Sequence, residues 1–169
     1  SGFADKGKNT LEKEEKIDKT LINKIGVPKT LVETMPLYLK EDISSNAKQY
    51  ITHKTVYLSE KKSDGLDIEM YGTIPEDDMS FTVTVYGTDS SSDGRERYIV
   101  YATYNWKNMP FWRLQDPFGV AWDDNNWRPV DNSAYKVDFN QDINGDWDRD
   151  STTALAYSSK SGVGWNADI

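Results

Sequence analysis

The chain has 169 residues, with 20 Lys or Arg against 28 Asp or Glu, a formal net charge of −8, one His and no Cys. Without cysteine there is no disulfide framework, thiolate metal site or cysteine nucleophile, and a single histidine rules out a histidine-rich zinc site within one chain. No apolar run approaches the roughly 18 residues that span a bilayer, and the acid excess opposes nucleic-acid binding, which needs Lys and Arg against phosphates.

The first nine residues read as a polar lead-in. A helix is expected from Asn9, whose side chain can cap it while Glu12 bonds back three residues on. Leu11, Ile17, Leu21, Ile22 and Ile25 form its apolar stripe, and Gly26 followed by Pro28 is a stop signal. Pro28 suits the first turn of a second helix, Lys29 to Met35, which Pro36 ends. Residues 37–45 read as irregular.

From Tyr50 the period changes from helical to alternating. Ile51 to Leu58 is rich in β-branched and aromatic residues, and the Asp64-Gly65 turn leads to Leu66, Ile68, Met70 and Ile74 alternating with Asp67, Glu69 and Thr73. Further strands are expected at Met79 to Gly87, Glu96 to Trp106, Gly119 to Trp122, Ala134 to Phe139, Thr152 to Tyr157 and Val163 to Trp165. About eight strands separated by turn signals predict a mainly β fold, an antiparallel β-sandwich, with a short N-terminal helical segment over 1–45 packed on or leading into a β domain over 46–169.

Charge is unevenly spread. Residues 1–62 hold 12 Lys and 9 acids, whereas residues 63–169 hold 8 basic and 19 acidic side chains. The most acidic stretch runs from Asp138 to Asp150, where Asp138, Asn140, Asp142, Asn144, Asp146, Asp148 and Asp150 occupy every even position. In one straight strand they would share a face and repel. Two arrangements relieve this: a bend at Asn144-Gly145, a common tight-hairpin signal, or a calcium ion, which takes six to eight oxygens from such residues. An EF-hand proper does not fit. Counting from Asp142 puts Trp147 where glycine is needed and Thr153 where a bidentate Glu belongs, and counting from Asn140 ends on Ser151. A looser calcium loop, closed by a remote carboxylate such as Asp123, Asp124 or Asp131, stays open beside an exposed hairpin with unligated acids.

All six tryptophans lie in the last 64 residues. Trp106 and Trp122 fall in strand-like alternation and read as core. Trp112 with Arg113, and Trp127 with Arg128, fall in polar loops, where an aromatic beside Asp, Asn and Arg makes a recognition surface. A sugar ring requires such a surface, since its apolar face stacks while its hydroxyls need polar partners. These four residues are the candidate ligand-binding set, with Asp138, Asn140, Asp142, Asn144, Asp146 and Asp148 as the candidate metal set.

Tyr104-Asn105-Trp106-Lys107, continuing through Pro110, Trp112, Leu114, Asp116, Val120 and Trp122, resembles a motif of uncharacterised secreted proteins of Gram-positive bacteria. The resemblance implies export and a lack of cysteine, and it carries over no catalytic residue. It fits a chain that follows a removed signal or anchor, and hence an extracellular or cell-surface location.

For catalysis the residues offer little. The lone His53 lies in an alternating strand and reads as structural, and no G-x-S-x-G, phosphate-binding glycine loop or H-E-x-x-H is present. A glycosidase needs two carboxylates at a defined separation; Asp116, Asp123, Asp124 and Asp142 are available, but sequence does not supply the distance. The expected function is noncatalytic recognition of a glycan, cell-wall polymer or surface protein, stabilised by calcium if the acidic loop binds it. A secreted toxin or signalling protein is the alternative from another class, followed by a carboxylate hydrolase.

Overall fold

The computed structural model describes residues 2–57, 79–89, 93–106, 115–131, 133–141, 143–144 and 147–168. They form helices at the start and antiparallel strands after them, in two compact units, Ser1–Met109 and Pro110–Ile169. No described helix is long and apolar enough to cross a membrane. The strand expected around Leu66 to Ile74 lies outside the described residues.

Helix α1 spans Gly2–Lys19 and so begins before Asn9. No proline interrupts residues 2–9, so nothing prevents the helix from extending toward the N-terminus, and Asn9 sits inside it at a modest cost in propensity. The helix passes into a π-helical segment, Thr20–Ile25. It then stops at Gly26, whose φ of 86° is the left-handed conformation that a residue with a Cβ resists. The Val27 N–H donates back to the Leu21 carbonyl at 2.8 Å and closes the end.

Pro28 leads into α2, Lys29–Val32, shorter than expected, and Pro36 leads into α3, Leu37–Asn46, where irregular chain was expected. The Pro36 carbonyl accepts from the Leu39 and Lys40 amides at 3.1 and 3.2 Å. Pro36 therefore ends one segment and starts the next, because proline fixes φ in the helical range and its missing N–H is not needed there. Leu39 and Ile43, one turn apart, are both buried and hold α3 in the core cluster.

Strands β1 (Gln49–Tyr57), β2 (Met79–Gly87) and β3 (Tyr98–Trp106) form an antiparallel sheet in the order β1-β2-β3. Tyr86 lies opposite Tyr50 on one side and Ile99 on the other, and Thr84 lies opposite His53 and Tyr101. This face carries the core. Tyr86 is fully buried with Leu21, Ile25, Val27, Leu31, Val32, Leu39 and Ile43, and Tyr50 and Tyr101 pack against the cluster. The 1–45 segment thus shares one core with the first sheet. On the other face, where Phe81, Val83 and Val85 alternate with the threonines, Val56, Val83 and Val100 are exposed.

Polar bonds join the helices. Lys40, its side chain only 5% exposed, holds Glu14 at 2.9 Å and Asp18 at 2.8 Å, linking α3 to α1. The Tyr101 hydroxyl donates to Asp42 at 2.6 Å and links β3 to α3. Burial by itself would lower the Lys40 pKa, but the hydrogen bonds and charges of Asp18 and Glu14 outweigh it and hold the ammonium above its ordinary value.

In the second unit β4 (Gln115–Ala121), β7 (Tyr157–Ser159) and β8 (Gly162–Asp168) form a sheet in the order β4-β8-β7. A separate hairpin pairs β5 (Lys136–Gln141) with β6 (Trp147–Thr152). Among the described residues Val163 and Trp165 are the buried apolar side chains here, with the Phe118 and Trp165 rings 6.5 Å apart. Gly119 faces Gly164 across the ladder, and a Cβ on Gly119 would come within 3.0 Å of the Val163 carbonyl. The strand expected over Thr152 to Tyr157 is displaced: β6 ends at Thr152, β7 begins at Tyr157, and 153–156 is irregular. The hairpin draws Thr152 into register with Lys136, a pairing that no local pattern announces. The fold is therefore strand-rich and antiparallel with an N-terminal helical segment, and its sheets are small and open.

Replacing Lys40 by Met strands two partly exposed carboxylates beside an apolar stem, and a loss of about 1–3 kcal/mol is expected, or a fall in Tm of order 5 °C. Because the folded-state pKa of Lys40 is raised, the stability it contributes is whole below its unfolded value of 10.5 and declines as pH climbs through the folded-state value. Burial raises the Tyr86 pKa too, so its proton is also lost more readily from the unfolded chain and adds to the alkaline decline. Denaturant melts across this alkaline range should therefore show a shallower decline in Lys40→Met; a parallel one means that the ion pairs contribute nothing.

Candidate functional site

Of the residues that sequence singled out, Trp127 and Arg128 lie in an exposed polar loop of the second unit. β4 ends at Ala121, and Trp122 pins the chain that follows: its backbone N–H donates to the Ser161 carbonyl at 2.9 Å and its indole N–H to the Lys160 carbonyl at 2.8 Å. Trp122 is thus half-buried and tethered to the turn before β8, while Trp165 occupies the buried position. The Trp106 side chain is outside what the structure describes.

Asp123 then builds a turn around itself. One carboxylate oxygen accepts from the Asn125 backbone N–H at 3.0 Å and the other from the Asn126 amide at 3.1 Å. Its carbonyl accepts from the Trp127 N–H at 3.1 Å. This is the local bonding for which Asp is favoured in loops. The consequence is a fixed platform with Trp127 at its end, 51% exposed, followed by exposed Arg128. An indole this open, with Asp124, Asn125 and Arg128 exposed around it in sequence, offers a flat apolar face and both donors and acceptors within one short loop. Asp123 itself is engaged within its own turn, which limits it as a remote calcium ligand. Trp112 and Arg113 lie outside the described residues, so the structure neither joins them to Trp127 nor separates them from it.

The acidic stretch folds on itself. β5 and β6 pair with Asp138 opposite Asp150 and Asn140 opposite Asp148, while Phe139 meets Arg149 and Gln141 meets Trp147. The bend falls between residues 141 and 147, with Ile143 and Asn144 fully or largely in solvent. Asp142 and Asp146 lie outside the described residues. Folding converts a single row into cross-strand pairs, and like charges directly opposite one another in a sheet are destabilising. The bend alone therefore relieves the crowding along the strand without relieving it across the ribbon. Among the described residues no three acidic or histidine side chains converge to hold a metal. The described backbone brings together Asp138 with Asp150 and Asn140 with Asp148, fewer than the oxygens a calcium shell needs.

His53 sits on β1, exposed, with its Nδ1 2.6 Å from the Tyr50 hydroxyl. Among the candidate carboxylates, Asp123 and Asp124 are neighbours on one turn. Sequence reading passed over two exposed tyrosines, Tyr135 and Tyr157, at 46% and 60%. Tyr157 stands opposite Gly164, where no side chain competes for its flank, and its hydroxyl donates to Ser159 at 3.1 Å. Its position on a three-residue edge strand beside a glycine was the available signal.

No protein-family model, curated protein or solved structure matches this chain.

Asp123→Ala removes both side-chain bonds of the turn. The expected local loss is about 1 kcal/mol, read as roughly fivefold faster hydrogen exchange at the Asn125 amide, with Tm moved by less than about 4 °C. Unchanged exchange means that the turn is held by something other than Asp123.

Proposed function

We propose that the chain is an extracellular, noncatalytic recognition domain for a glycan or cell-wall polymer of the bacterial surface, with Trp127 as its stacking platform. The observation that carries this reading is the exposed indole held at the end of a turn that Asp123 organises with three hydrogen bonds. A loop backbone held in advance lowers the ordering cost of taking a ligand on the side chain that it presents. Exposed Arg128, Asp124 and Asn125 supply hydrogen-bonding groups for sugar hydroxyls. Trp112 and Arg113 complete the proposed ligand-binding set. The likeness of the 104–122 segment to secreted Gram-positive proteins supports an extracellular setting, as does the absence of cysteine.

Calcium enters as a structural ion in the same reading. A cation over the Asp138, Asn140, Asp148 and Asp150 side of the hairpin would offset the cross-strand repulsion, with Asp142, Asn144 and Asp146 of the bend completing its shell.

Trp127→Ala and Trp112→Ala should each reduce retention on an affinity gel of purified Gram-positive cell-wall polysaccharide by about tenfold or more, equivalent to about 1.4 kcal/mol. Far-ultraviolet circular dichroism should be unchanged. Wild-type retention by both variants would remove the aromatic surface from consideration. Separately, calcium at about 100 times its Kd should stabilise the fold by about 2.7 kcal/mol and raise Tm by about 5 to 11 °C relative to EDTA. Magnesium should not reproduce the rise, and Asp138→Asn should abolish it. A melt indifferent to calcium leaves the stretch as a solvated hairpin.

A further inference from the structure

Strand β1 is an edge of the first sheet, and among the described residues it is hydrogen-bonded along one side only, to β2. In an antiparallel ladder every second residue points its N–H and C=O away from the partner strand. The other side of β1 is therefore a row of backbone groups without a mate. Its one irregularity, between Tyr50 and Thr52, lies near the start, and Thr52 to Tyr57 run in unbroken register against Val85 to Ser80. Two edges in the second unit carry the usual protections against strand addition: β4 contains Pro117, and β7 is three residues long. β1 has nine residues and no proline.

Thr52, Lys54 and Val56 stand on the face away from the helices, opposite Val85, Val83 and Phe81 of β2. Val56, Val83 and Val100 are exposed on that face. Strands β1, β2 and β3 contain no Asp, Glu or Arg, and Lys54 is their only Lys. It is exposed, and among the described residues it enters no ion pair. A cation standing alone on an apolar edge selects its neighbours. It opposes a second copy, because a two-fold pairing centred on His53, Lys54 or Thr55 sets the two Lys54 side chains directly or diagonally across from one another. It also leaves one position at which an added strand gains by being acidic.

We propose that the β1 edge binds an extended peptide of another protein as an added strand, with an acidic residue opposite Lys54 and an apolar residue two positions to either side. Backbone bonds to the open side of β1 hold the strand. The alternation of an extended chain puts the acid and both apolar side chains on one face, where one of them lies beside Val56. The edge shares no residue with the proposed glycan and calcium sites, so its test stands apart from theirs.

The experiment is a titration of the isotope-labelled full chain with the capped peptide Ser-Thr-Val-Thr-Glu-Thr-Val-Thr-Ser, followed through backbone amide shifts. The expected result is saturable movement centred on the amides of Thr52 to Val56, with a Kd of order 1 mM. Replacing the peptide's Glu by Lys should weaken binding by about fivefold, a preference that runs against the chain's net charge of −8. The variant Lys54→Glu alters only an exposed side chain and should keep its Tm while reversing the preference between the two peptides. Equal affinity for both peptides, a preference that survives in Lys54→Glu, shifts that do not saturate, or shifts centred away from β1 overturn the proposal. So does movement of the same β1 amides when the peptide-free protein is diluted, which marks a second copy on the edge.

Discussion

Burial of Tyr86 is the contact on which the first unit depends. A tyrosine near the end of the central strand β2 must place its ring on one side of the sheet, and here that side is covered by the helical segment. The ring is fully buried and meets Tyr50 and Tyr101 edge-on at 6.1 and 5.8 Å. Full burial of an aromatic side chain is a stabilisation of some 2 to 3 kcal/mol, and edge-to-face neighbours add to it. Around it, Leu21, Val27, Val32 and Ile43 come from three successive helical pieces. α2 and α3 are too short to be stable alone in water, so the sheet and these helices hold each other. Lys40 then determines how α1 lies against α3, because an ammonium taken almost out of water must keep both Glu14 and Asp18.

The second unit is stabilised differently. Among its described residues the buried apolar side chains are Val163 and Trp165, and hydrogen bonds from long side chains to backbone carbonyls join its strands and loops: Trp122 to Lys160, and Lys136 to Asn166 at 2.9 Å. Backbone approach at Gly119 and Gly164 brings β4 and β8 together where side chains would intrude. A unit joined in this way displays large aromatics at its surface, as at Trp127 and Tyr157. In the proposed reading recognition and stability fall to different residues: Asp123 holds the turn, and the Trp127 side chain that follows it is half exposed.

Parts of this were legible in the sequence because they are local. β2 runs over the alternating segment from Met79 to Gly87, and Gly26 ends the first helical stretch because only glycine takes its left-handed φ without strain. The exposure of the Trp127 loop followed from the density of Asp and Asn around it. Other features were not legible because they are decided between distant residues. α3 is weakly amphipathic and opens on a proline that equally well reads as a stop; what makes it a helix is the place that Leu39 and Ile43 find beneath the sheet.

The Asp138 to Asp150 stretch marks the boundary between the two kinds of information. Sequence alone determined that its acids repeat with the period of a strand and that one strand could not hold them comfortably, since a period of two places every one on the same side. It also determined the chain's acidity, its want of thiols and the positions of its strongest turns. Which acid faces which was beyond it, because register is set by the pairing of β5 with β6, and that pairing put Asp138 against Asp150 and Asn140 against Asp148. The same holds for the first sheet. Alternation announced two faces, one of Phe81, Val83 and Val85 and one of Thr82 and Thr84, but the core formed over the threonine side because Tyr86 lies there and the helices can reach it. A strand's period is a property of its own backbone, whereas the side that becomes buried is chosen by whatever the rest of the chain brings to it.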